Sequence, residues 1–64
     1  MPVRYSSIEL IRLVENDGWM LISISGSHHK FKHPQKSGIV VIPHPKKGIP
    51  VGTSAQILKM AGLK

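Results

Sequence analysis

From Gly18 to its last residue this 64-residue chain carries seven lysines, four histidines and no acid. The densest group is Ser27-His28-His29-Lys30-Phe31-Lys32-His33. An imidazole with an unperturbed pKa of about 6.5 offers both a base and an acid near neutral pH. Ammonium groups beside it stabilise the negative charge that develops on phosphorus as a phosphodiester is cut. RNA brings its own nucleophile, the 2′-hydroxyl, so histidine and lysine suffice for that reaction and no metal or other cofactor is called for.

Side chains alternate along an extended strand, which puts His29, Phe31 and His33 on one face and His28, Lys30 and Lys32 on the other. Phe31 is the only phenylalanine and belongs in the core, so the sequence places His28 between core-free neighbours on an open, basic face. His28 is therefore the expected catalytic residue and His29 the alternate, with Lys30 and Lys32 as phosphate contacts. Ser25 and Gly26 make the turn that leads into the group, with Gly26 as its structural glycine.

Other chemistries fit less well. His29 and His33 share a face but would stand about 13 Å apart along a strand, and no cysteine or carboxylate lies near to complete a metal site. There is no cysteine nucleophile, and Glu9, Glu15 and Asp17 all fall in the first 17 residues, away from the histidines. The Gly-rich phosphate-loop patterns are missing.

The elements that position the group are legible from capping and periodicity. Ser6 and Glu9 have the spacing of a capping box, Leu10, Ile11, Leu13 and Val14 share a helical face with Ile8 at its edge, and Gly18 suits a left-handed stop. Trp19 to Ile24 reads as a first strand, Ser27 to His33 as a second ended by Pro34, and Ile39 to Ile42 as a third halted by Pro43. The stretch Pro43-His44-Pro45-Lys46-Lys47-Gly48-Ile49-Pro50 has too many prolines for regular structure and reads as a tethered loop. Thr53 and Gln56 repeat the capping-box spacing, which predicts a second helix opening at Thr53, buried along Ile57, Leu58 and Ala61 and capped by Gly62.

The order is α-β-β-β-α, an α+β chain whose three antiparallel strands carry both helices on one face, as in double-stranded RNA-binding domains. Residues 1–64 form one domain, and a domain of this size stays marginal without a partner. Lys46 and Lys47, stiffened by neighbouring prolines, add to the RNA-contact surface, and His44 would supply a second proton carrier if its loop folds over the sheet. A net charge of +6 in so small a chain fits a polyanionic partner. No stretch is apolar for long enough to span a bilayer and no leader pattern opens the chain, so the expectation is a cytoplasmic protein that works away from membranes.

Taken together, Ser6-Ser7-Ile8-Glu9-Leu10-Ile11, Asp17-Gly18-Trp19, Gly26 through Pro34, Val41-Ile42-Pro43-His44-Pro45 and Gly52 through Leu63 resemble the HicA family of toxins. The resemblance runs from end to end, and it is the order and spacing of the pieces that make it specific. It implies a double-stranded RNA-binding-like fold, an endoribonuclease that cleaves mRNA and shuts down translation, and neutralisation by a HicB-type antitoxin. The family's functional histidine follows a Gly-Ser or Gly-Gly pair, which maps onto His28, while a shift of one residue would select His29. The antitoxin is expected to cover the basic sheet face. The alternative function is a non-catalytic double-stranded RNA-binding module.

Overall fold

The computed structural model describes residues 4–63. Helix α1 runs Ser7–Asp17, strands β1, β2 and β3 run Met20–Ser25, His28–Lys32 and Ile39–Pro43, and helix α2 runs Val51–Met60. The strands form one antiparallel sheet in the order β1-β2-β3. This is the α-β-β-β-α arrangement expected of the sequence, with strand ends displaced by a residue. Trp19 stays outside β1, and Ser27 and His33 stay outside β2.

α1 begins as its local sequence dictates. The Ser6 hydroxyl accepts the Glu9 N–H at 3.2 Å and the Glu9 carboxylate accepts the Ser6 N–H at 2.9 Å, which satisfies two donors that the first turn would otherwise leave open. At the other end Gly18 takes a φ of 112°, its N–H bonds the Glu15 carbonyl, and the Trp19 N–H returns to the Val14 carbonyl. A second constraint acts on Gly18: a Cβ there would sit 2.9 Å from His33 Nε2.

α2 departs from expectation at its start. It opens at Val51 with Pro50 as N-cap and no side-chain cap, so Thr53 lies inside the first turn instead of before it. Pro50, with φ −52° and ψ 143°, delivers the chain in a shape that enters the helix directly, and the Ser54 N–H already bonds the Pro50 carbonyl at 2.9 Å. The capping-box spacing of Thr53 and Gln56 is therefore not used. The far end closes around Gly62 as expected, with the Leu63 N–H bonded to the Leu58 carbonyl.

The helices cover one face of β2 and β3. Phe31, Val40 and Ile42 meet Leu10 and Val14 of α1 and Ile57, Leu58 and Ala61 of α2, with Trp19 and Ile49 completing the buried cluster. Of the helical face read for α1, Leu10 and Val14 are buried and Ile11 is partly so, but Leu13 is exposed. Phe31 is 1% exposed, and shortening it to alanine would cost about 3–5 kcal/mol. That approaches the whole of the ~3–10 kcal/mol available to a chain of this length. Among the described residues no helix is long and apolar enough to cross a membrane.

Candidate active site

Two residues, Gly26 and Ser27, join β1 to β2, and only Gly26 has a positive φ, 60°, the requirement of a type II′ turn. So short a connection leaves no freedom of register: Ser25 pairs directly with His28. Ser23 then pairs with Lys30 and Met20 with Lys32, while on the other side His28, Lys30 and Lys32 face Pro43, Val41 and Ile39. Cross-strand partners share a face, so these residues line the sheet surface that the helices leave open.

His28 is exposed on that surface, in one row with Lys30 and Lys32. Successive members of such a row stand about 7 Å apart, the spacing of alternate residues on a strand. Phe31 and His29 point the other way, paired with buried Val40 and Ile42. The division of β2 into an open basic face and a core face thus follows the single placement of Phe31.

The other three histidines are engaged elsewhere. His29 is half-buried, its Nδ1 is enclosed without a hydrogen-bond partner, and its ring meets His44 edge-on with centroids 4.9 Å apart. His33 Nδ1 accepts the N–H groups of Gln35 and Lys36, which leaves the hydrogen on Nε2, donated to the Asp17 carbonyl at 2.8 Å. His33 therefore ties the end of β2 to the end of α1. This role was not visible in the sequence, because it depends on where α1 stops relative to the sheet.

His44 does not reach the open face. Its loop folds against the start of α1: the Ser7 N–H donates to the Lys46 carbonyl at 2.9 Å, the Lys46 N–H donates to the Ser7 hydroxyl at 2.8 Å, and that hydroxyl lies 2.6 Å from His44 Nδ1. The ring ends up on the His29 side of the sheet. Lys46 and Lys47 are exposed and border, with Ser6, Ser7, Ile8 and Pro45, a cleft at the head of α1 instead of joining the row on β2.

Asp17 is held as a carboxylate by its partners. Its Oδ2 accepts a hydrogen bond from Lys36 Nζ at 2.5 Å, and that bond, with the charge of Lys36, keeps its pKa below the ordinary aspartate value of 3.8 against the opposing effect of burial. Lys36 Nζ also donates to the Ala61 carbonyl at 3.0 Å, so the ion pair binds α1 to the end of α2. Among the described residues no three His, Asp or Glu side chains converge as a metal site would need.

A family model described as the HicA toxin of bacterial toxin-antitoxin matches residues 8–63, nearly the whole chain. The chain belongs to the HicA toxin family. No curated protein sequence matches it. The HicA match spans every element that shapes the open face, from α1 through α2, and includes the Gly26-Ser27-His28 turn. Membership makes the chain a toxin and puts it in the context of a HicB antitoxin.

Proposed function

We propose that this HicA toxin is a metal-independent endoribonuclease that cleaves mRNA, and that His28 is its catalytic residue. The observation that supports this most is the position of His28: solvent-exposed, on the basic face, two residues from Lys30 in the same row and flanked across the sheet by Ser25 and Pro43. A single-stranded segment laid along β2 would meet Lys30 and Lys32 with its phosphates and His28 with a scissile group. His28 takes the proton of the 2′-hydroxyl or returns one to the departing 5′-oxygen, and general acid–base catalysis of this kind contributes about 10²–10⁴-fold. Attack of the 2′-oxygen on phosphorus breaks the bond to the 5′-oxygen and leaves a 2′,3′-cyclic phosphate. Loss of function in a growing cell follows from the destruction of mRNA, and cytoplasmic action is part of the same proposal.

His29, the alternate, fits the role less well, since its ring is half-buried against His44 on the core side. Lys46 and Lys47 are proposed as secondary contacts for RNA that continues past the end of the sheet toward α1.

The test uses one labelled RNA and its counterpart with 2′-deoxy sugars, both in EDTA. The proposal requires that the RNA be cut and the deoxy strand spared. Cutting of the deoxy strand would exclude the 2′-hydroxyl as nucleophile. RNA binding with no cleavage under any condition would instead favour the non-catalytic RNA-binding module.

A further inference from the structure

Both helices pack against β3, whereas β1 carries no such cover. Every residue from Met20 to Ser25 is exposed, and four of them are large and apolar: Met20 at 58%, Leu21 at 44%, Ile22 at 51% and Ile24 at 57%. β1 is also an edge: among the described residues β2 is its one neighbouring strand, and no other strand pairs with its outer backbone N–H and C=O groups. Exposed edges are normally guarded by charge, proline, a bulge, extreme shortness or a covering element. The segment Met-Leu-Ile-Ser-Ile-Ser has no charge and no proline; its one guard is a shift of register between Leu21 and Ser23, which leaves Ser23 to Ser25 as a regular edge. β3, the opposite edge, has Val40 and Ile42 buried under the helices and ends in Pro43.

We infer that β1 is the docking edge for a strand of the antitoxin, an extended segment of alternating acidic and apolar side chains that enlarges the sheet to four strands. The inference rests on the toxin–antitoxin reading and is independent of the chemistry of His28. Charge complementarity selects this occupant. An added strand would run about 10 Å from β2, two strand spacings away. On the open face the residues in between are Ser23, opposite Lys30, and Ser25, opposite His28. These side chains are short, so an aspartate or glutamate on the added strand can reach over Ser23 to the Lys30 ammonium. On the other face Leu21 and Ile24 extend the row of Phe31 and His29, and apolar side chains of the newcomer would continue that row and cover them. A second copy of this chain fits worse, because pairing two β1 edges merges two basic faces of chains that each carry +6.

An antitoxin strand placed there would bring acidic groups over Ser23 to the lysine row and over Ser25 to His28. Inhibition would then act on RNA binding and on the His28 ring together.

The experiment measures the affinity of the HicB-type antitoxin for the wild-type chain, for the double variant Leu21→Lys and Ile24→Lys, and for Ile8→Lys, an exposed apolar residue on α1. Affinity is expected to fall at least about tenfold for the double variant and to stay unchanged for Ile8→Lys. Hydrogen exchange on the wild-type complex needs no substitution, and should show new protection of β1 amides. Unaltered antitoxin affinity of a folded double variant, or β1 amides that exchange freely in the complex, would overturn the inference. A free wild-type dimer that the double variant converts to monomer would assign the edge to a second copy instead. Failure of RNA cleavage by the free wild-type chain would remove the nuclease proposal and leave these binding results standing.

Discussion

Ser7 Oγ lies 2.6 Å from His44 Nδ1, although the two residues are 37 apart in the chain. The same hydroxyl accepts the Lys46 N–H and stands 3.1 Å from the Lys46 carbonyl. It has a single proton to donate, so either His44 or the carbonyl receives it, and in the second case His44 Nδ1 must itself be the donor. In both arrangements the loop between β3 and α2 is locked to the first residue of α1, and its histidine is kept from the open face.

Ser7 is 1% exposed, so replacing it with alanine leaves the Lys46 N–H without its acceptor in a place water does not easily reach. The expected cost is about 1–3 kcal/mol. For a domain of this length each kcal/mol lowers the melting temperature by about 4–8 °C. Thermal unfolding measures the loss, and single-turnover cleavage at saturating RNA should match wild type per folded molecule, because the proposed catalytic face is on the other side of the sheet and only the secondary contacts of Lys46 and Lys47 are loosened.

Gly18→Ala tests the junction of α1 with β2. Alanine must adopt a φ of 112° and also displace the His33 ring that stands 2.9 Å from the new Cβ. Left-handed strain alone costs about 1–3 kcal/mol. A fall in denaturant midpoint, together with a changed nitrogen NMR signature for the His33 ring, is the expected result. Unchanged stability would show that the Asp17–His33 link is not a constraint.

Stability in acid should depend on Asp17 and Glu9. Both pKa values are lowered in the folded chain, Asp17 from 3.8 by the Lys36 hydrogen bond first and Glu9 from 4.5 by the Ser6 backbone hydrogen bond first. Protons thus bind more tightly to the unfolded chain, so the stabilisation is complete above these ordinary values and is lost as pH falls through the lower folded ones. Denaturation midpoints should decline below about pH 4, and Asp17→Asn should reduce that decline. A midpoint profile for Asp17→Asn parallel to wild type would contradict the role given to the Lys36 pair.

Much of this architecture is local enough to read from the chain. The Ser6–Glu9 cap, the Gly18 stop and a tight turn at Gly26 each depend on residues within a few positions of one another, although the turn falls at Gly26-Ser27, one residue later than the Ser25-Gly26 expected, with Ser25 kept in β1 opposite His28. Thr53 and Gln56 show the limit of the same reasoning, since an identical spacing lost to the prior geometry of Pro50. Non-local facts were out of reach: the burial of Ile49, the anchoring of the 43–50 loop by Ser7, the tie from His33 to Asp17 and the absence of helix cover over β1. Each depends on how the helices lie across the sheet. The alternation that assigned His28 and Phe31 to opposite faces survived because it is a property of the strand alone.

Lys30→Ala and Lys32→Ala examine the phosphate row on β2. Each removes one cation from the open face without touching the core. RNA affinity should weaken for either variant, and the slope of log affinity against log salt should become shallower by about 0.7 per lost contact with a single strand. An unchanged slope would place the RNA elsewhere on the chain.

The most direct test of the central claim is single-turnover cleavage of a labelled RNA by wild type, His28→Ala and His29→Ala, with RNA affinity measured on the same preparations. The account predicts that His28→Ala loses at least about 10²-fold in cleavage rate while binding RNA as wild type does, and that folded His29→Ala keeps its activity. Full activity in His28→Ala, or a loss confined to His29→Ala, would contradict it.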